Sequence, residues 1–139
     1  MKALELADYI INTSPKDLSN LELQKTMYFV ELDYCKQTGK SLIDEDFEAW
    51  DYGPVVPEVY REFRDYGAES IDRTNKMSIS EEIQKDIVDS SIKRCSQKRP
   101  WELVSESHRN DGAWQKTIDK NLVVIDKELI AEEASKYGQ

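Results

Sequence analysis

The sequence predicts a mainly α fold, a single compact helical domain with a minor short-strand component. Three observations predict it. Ser19, with Glu22 three residues on, forms a complete capping box ahead of a long apolar-rich stretch. Several further stretches repeat apolar residues at helical spacing. Only one segment, "FEAWDYG", alternates clearly as a strand does. The 139 residues suffice for one core and are too few for two ordinary domains, so residues 1–139 are expected to form one.

Taken in order, residues 3–12 read as a helix because Ala3, Ala7, Ile10 and Ile11 share a face. Pro15 in "NTSPKDL" ends it. The capping box then starts a helix expected to run to Thr38, with Leu18 and Leu23 as its hydrophobic staple and Gly39 as its stop. Leu21, Tyr28, Leu32 and Cys35 lie on one side of that helix and Leu23, Met27, Val30 and Tyr34 on another. A helix apolar on several faces belongs in the middle of a bundle. Gln24 and Lys25 are its polar exceptions.

In "FEAWDYG" Phe47 and Ala49 point one way, Trp50 and Tyr52 the other. Gly53 and Pro54 are expected to turn the chain, and Pro57 to enter the first turn of a helix, where its missing N–H costs nothing. Val56, Val59, Tyr60 and Phe63 follow at helical spacing up to Gly67. Residues 68–79 are polar and irregular, with a short strand expected at Met77–Ile79. A helix is expected from Ser80 to Cys95 on the stripe Ile83, Ile87, Val88, Ile92. Another starts at Pro100 and aligns Trp101, Val104 and His108, with both Trp101 and Trp114 expected in the core. "NDG" is a turn, Trp114 and Ile118 mark a helical turn, and "LVVI" reads as a short strand. Asp126 is placed to cap a last helix through Ile130, Ala134 and Tyr137.

Charge and composition narrow the function. With 19 basic and 28 acidic residues the formal net charge is −9, which opposes non-specific binding to nucleic acid or to an anionic membrane. The charge is uneven: residues 42–66 hold eight acids, Asp44, Asp46 and Glu48 among them, against Arg61 and Arg64. Lys93, Arg94, Lys98 and Arg99 cluster without an acid between them. These are either solvated faces or a bipolar surface that steers a partner. Two cysteines at helix-periodic positions read as buried thiols and fit a reducing compartment. No apolar run approaches the ~18 residues of a membrane span, and no signal-peptide shape opens the chain, so a cytoplasmic protein is expected.

Catalytic patterns are sparse. One histidine and two dispersed cysteines have no metal-ligand spacing, so neither metal nor cofactor is expected. The acids at 44–48 lack the glycine and spacing of a calcium loop. No nucleophile elbow, Walker loop or dinucleotide fingerprint is present. Cys35 with His108 is the one nucleophile–base pair to weigh, and nothing in the sequence brings the two together. The residues describe a non-enzymatic helical interaction domain.

One block carries a resemblance. "LQKTMYFVELDYCKQTGKSLIDEDFEAWDYGPVVPEVYREF" has a helix start Leu23, Gln24, Lys25, then Tyr28, Tyr34 and Gly39. Its hallmark is Phe47, Glu48, Ala49, Trp50, with Tyr52, Gly53, Pro54, Val55, Pro57 and Tyr60. A weaker pattern follows in Leu103, Ser107, His108 and Trp114. This resembles the Panacea antitoxin domain, also called the SocA-like or phage-associated GepA-like domain. The resemblance implies the antitoxin half of a bacterial or prophage toxin–antitoxin operon. It implies a cognate protein toxin as partner, neutralised by direct protein–protein binding. One branch of the family acts instead as a proteolytic adaptor that delivers its toxin to a cytoplasmic AAA+ protease. Some members carry an additional DNA-binding domain, for which residues 1–139 leave no room, so direct nucleic-acid binding is not expected. A small enzyme using His108 is the remaining alternative.

The hallmark itself keeps two roles open, a scaffold in which Trp50 and Tyr60 are mainly core, and a surface that touches the partner. The acidic residues Asp44, Asp46 and Glu48 are expected to contribute to the toxin contact, leaving the basic cluster for a second region or for solvent.

Overall fold

A computed structural model describes residues 1–76 and 78–137. Its helices are α1 (Ala3–Thr13), α2 (Asn20–Thr38), α3 (Pro57–Glu62), α4 (Lys85–Ser96), α5 (Pro100–Ser107), α6 (Ala113–Asp119) and α7 (Lys127–Lys136). Between α2 and α3 lies a hairpin, β1 (Glu48–Trp50) and β2 (Gly53–Val55). The fold is mainly α, with a two-stranded sheet as its small extended component.

The capping box forms as expected. Ser19 Oγ accepts the Glu22 amide proton at 3.2 Å, and the Glu22 carboxylate accepts from the Ser19 amide at 3.2 Å. At the other end Gly39 takes a left-handed φ of 73° and returns its N–H to the Cys35 carbonyl at 2.8 Å. Between them Leu23, Met27, Tyr28, Val30 and Leu32 are all fully buried, so α2 is the central helix. It packs against α1, α4, α5, α7 and β2. Each large apolar side chain buried there contributes on the order of 1.5–3 kcal/mol as an upper estimate. Polar ties add register. Glu31 accepts from the amides of Leu42 at 2.9 Å and Ile43 at 3.1 Å, and Arg94 of α4 pairs with Asp33 at 2.5 Å.

Several expectations need correction. Gly53 and Pro54 do not turn the chain: Asp51 and Tyr52 form the turn, and Gly53–Val55 is the return strand. α3 stops at Glu62 and a 3-10 turn, Arg64–Tyr66, intervenes before Gly67. The fourth helix begins at Lys85 rather than Ser80. Gln84 has non-helical backbone (ψ 88°), and its amide donates to the Tyr34 hydroxyl at 3.4 Å, so Ile83 precedes the helix. Of the expected strand at Met77–Ile79, Met77 lies outside the described residues, and Ser78 and Ile79 are in no strand. "LVVI" is not a strand of its own. Val124 makes one antiparallel bridge to Glu48, and the segment runs beside β1 through Ala49 N to Val123 O (2.8 Å) and Ile125 N to Phe47 O (2.9 Å). Asp126 occupies the N-cap position of α7, but its carboxylate makes no capping bond. Trp101 is 65% exposed, because α5 buries the face of Leu103 and Ser107, and Trp101 lies two positions off that face. Leu21, at 38% exposed, is the one apolar residue of α2 named above that leaves the core substantially.

Candidate functional site

The hairpin is held from below by the polar exceptions of α2. The capping box fixes where α2 begins, and so turns Gln24 and Lys25 inward; they are 1% and 0% exposed. Gln24 bridges two elements: its amide nitrogen donates to Asn20 Oδ1 at 3.0 Å and its oxygen accepts from the Val56 N–H at 2.9 Å. Asn20 in turn donates to the Tyr60 carbonyl at 3.1 Å. Two side chains one helical turn apart thereby hold the entry and body of α3.

Lys25 Nζ donates to the Pro54 carbonyl at 2.7 Å. Strand geometry explains why that carbonyl is available. Ala49 pairs with Pro54, and the Ala49 N–H points away from β2, to Val123. The Ala49–Pro54 pair is therefore the one that exchanges no hydrogen bonds across the hairpin. Pro54 loses nothing there by lacking an N–H, and its carbonyl faces α2. No carboxylate pairs with Lys25 among the described ion pairs. Burial pushes its amine down from 10.5 to about 7.

Gly53 is required on two grounds. Its φ is +115°, which side-chain-bearing residues rarely adopt, and a Cβ there would lie 2.5 Å from Ser107 Oγ and 2.8 Å from Lys25 Cε. The hairpin thus sits directly on Lys25 and on the end of α5. Ser107 is fully buried and donates to the Val104 carbonyl at 2.7 Å. Next to it, His108 stacks flat on Trp114, with ring centroids 3.8 Å apart and planes 6° from parallel. Burial, then the neighbouring Lys25, pushes the imidazole down, against a hydrogen bond to the Tyr52 backbone that favours its charged form. Its Nε2 is buried without a hydrogen-bond partner among the described residues. Trp114 closes the assembly by donating its indole N–H to the Trp50 carbonyl at 2.7 Å.

The remaining sequence candidates divide between floor and surface. Trp50 is half-buried; its indole donates to Glu48 Oε1 at 3.0 Å, and its ring meets Tyr60 edge-on at 5.0 Å. Pro57 opens α3. Tyr52 stands 70% exposed at the hairpin tip. Asp44 and Asp46 are exposed and lie elsewhere, Asp46 3.8 Å from Lys127 of α7. The structure therefore brings Gln24, Lys25, Trp50, Pro54, Tyr60, His108 and Trp114 into one assembly and leaves Asp44 and Asp46 outside it.

Sequence reasoning missed Asn20 and Glu133. Glu133 of α7 is buried, and its Oε1 accepts from Tyr28 Oη at 2.6 Å and from the Ala113 N–H at 2.9 Å. A lone acid on the buried stripe of α7, beside Ile130 and Ala134, was the available signal.

Cys35 and His108 are not a catalytic pair. His108 lies near Lys25, and Cys35 is ten residues further along α2, about 15 Å at the helical rise. Burial and Glu31 push the Cys35 thiol up, the wrong direction for a nucleophile. Among the described residues no group of three or more His, Cys, Asp or Glu is placed to hold a metal ion, and no helix is long and apolar enough to cross a membrane.

Fold and site together define a small helical scaffold on which a braced hairpin is the distinctive surface. The chain belongs to the family described as "Antitoxin SocA-like, Panacea domain", whose model matches residues 23–115, from the first turn of α2 to the residue after Trp114. A curated relative, "Antitoxin SocA" of Caulobacter vibrioides (strain NA1000 / CB15N), is 41% identical over 71 residues, which are 51% of this chain and 34% of the relative. The chain thus spans about a third of that relative's length. No solved structure matches the chain.

Proposed function

We propose that this chain is the antitoxin of a toxin–antitoxin pair and neutralises a cognate protein toxin by binding it directly, without catalysis, in the cytoplasm. The observation that carries the reading is how the hallmark spends its polar groups. Gln24 and Lys25 are consumed by backbone atoms of the hairpin and the α3 entry, at 2.9 and 2.7 Å, so they brace a surface rather than face a substrate. A surface fixed before binding loses little conformational freedom on association, which favours affinity. Family membership and the name of the relative support the antitoxin role. The net charge of −9 suits a partner that itself works on polyanions, because such proteins present basic surfaces.

The working unit extends beyond the family match. Glu133 of α7 holds Tyr28 and Ala113, so the described residues 116–137 pack with the matched span, as does α1, which packs on α2.

Co-expression tests the reading. The product of the adjacent reading frame is induced with and without this chain in a bacterial host. Growth arrest relieved by this chain, with the two proteins co-purifying, is the expected outcome. An adjacent product that is harmless, or arrest that persists, refutes it.

A further inference from the structure

The segment that runs beside β1 leaves an open edge. The Ala49 N–H donates to the Val123 carbonyl and the Ile125 N–H to the Phe47 carbonyl, so Val124 bridges Glu48 on the side of β1 away from β2. Along an extended segment successive residues turn their backbone groups to opposite sides. The N–H and C=O of Val124 therefore point outward, away from β1. Neither is in a hydrogen bond among the described residues. The side chains on this edge are exposed as well: Leu122, Val123 and Val124 at 54%, 58% and 44%. Ile118 of α6, whose carbonyl accepts from the Asn121 N–H, is exposed too. These four make up most of the exposed large apolar side chains among the described residues, so the exposure is concentrated in one place. Proteins that keep an edge unpaired commonly set a charge or a proline on it, and Leu122–Ile125 has neither.

We infer that this edge is an interface between two copies of the chain, paired antiparallel across a two-fold axis with Val124 opposite Val124. Each Val124 then gives its N–H to the carbonyl of the other. The Leu122 N–H, already donated to the Thr117 carbonyl at 3.1 Å, is not needed for the pairing. Charge selects the occupant. The chain carries −9, so two copies repel over most of their surface. Residues 116–127 hold three bases and two acids, so that repulsion is absent here. The antiparallel arrangement also brings Lys120 of each copy to Glu128 of the other, and neither residue is in an ion pair among the described residues. A basic strand from a different protein finds no excess of acid on this edge to meet. The pairing joins the two hairpins into one continuous sheet and gives the assembly two copies of the braced surface, which closed symmetry makes identical.

Sedimentation equilibrium of the purified protein alone, from about 1 to 200 µM, tests it. The mass is expected to rise to twice that of the chain. Val124→Lys and Val124→Glu each set like charges opposite one another across the axis, at an exposed position where melting temperatures should hold. Each variant alone is expected to self-associate about 30-fold more weakly or worse. An equimolar mixture of the two is expected to regain the dimer, because lysine then faces glutamate. A wild type of single-chain mass at the highest concentration, variants that dimerise like wild type, or a mixture that stays monomeric overturns the inference. Amide exchange of the wild type needs no variant. The Val124 N–H is expected to exchange more slowly at about 200 µM than at about 5 µM, and an unchanged rate overturns the inference. So does a Val124 amide protected only when the adjacent gene product is bound, which gives the edge to a strand of that protein. Growth rescue plays no part in the self-association readouts, so they stand whatever becomes of the antitoxin reading.

Discussion

Replacing Lys25 with methionine should stabilise the protein at neutral pH and destabilise it in alkali. The lysine is fully buried, its amine meets one carbonyl at 2.7 Å, and burial lowers it from 10.5 to about 7. At about 1.36 kcal/mol per pH unit, keeping that amine buried at pH 7 costs on the order of 5 kcal/mol relative to a group that never charges. Methionine matches the stem and leaves the Pro54 carbonyl without its donor, a loss of about 1–3 kcal/mol. The variant should therefore lead by roughly 2–4 kcal/mol at pH 7. The sign with pH follows from linkage. A lysine whose folded value is depressed binds fewer protons folded than unfolded between about 7 and 10.5, so its stability penalty shrinks as pH rises through that window. Wild type should gain about 1.4 kcal/mol per pH unit relative to the variant until the two cross near pH 9. Urea unfolding followed by tryptophan fluorescence at pH 7, 8 and 9 measures this. Cys95, whose thiol burial pushes up to about 12, titrates alike in both proteins and cancels in the difference. A stability difference that does not change between pH 7 and 9 would refute the buried, carboxylate-free amine.

Three further outcomes follow from the same assembly. Gly53→Ala places a Cβ against Ser107 Oγ at a φ of +115° and should cost about 2–4 kcal/mol; an unchanged thermal midpoint would contradict the close seating of the hairpin. Glu133→Ala strands the Tyr28 hydroxyl and the Ala113 N–H and should cost about 3 kcal/mol, whereas Glu133→Gln keeps an acceptor and should cost less than half as much; equal losses in chemical denaturation would argue against a hydrogen-bonding role. His108→Gln forfeits a flat stack on Trp114, about 0.5–1.5 kcal/mol, and should leave neutralisation largely intact; complete loss of growth rescue with a normal melt would give the histidine a direct role.

What could be read from the sequence was what its local chemistry specifies. The α2 boundaries depend on Ser19, Glu22 and Gly39, each acting within one turn, and they fall where the pattern puts them. The family resemblance rested on the same contiguous block and is borne out over residues 23–115. What could not be read depends on distant partners. Lys25 looks like a surface exception until Pro54, 29 residues away, is set above it. Glu133 gains its meaning from Tyr28, 105 residues earlier. The Gly53–Pro54 pair carries every local mark of a turn, yet the chain turns at Asp51–Tyr52, and that register leaves the Ala49 N–H free for the distant Val123 carbonyl. Trp101 is a hydrophobic residue at helical spacing, and only the orientation of α5 reveals that it faces solvent.

Direct binding is tested most directly by the mass of the purified pair. Co-expressed wild-type protein and toxin, separated by size and weighed by light scattering, should elute as one mixed species, with the toxin's lifetime in cells unshortened by its partner. Two separate peaks, together with rescued growth and rapid toxin turnover, would contradict direct neutralisation.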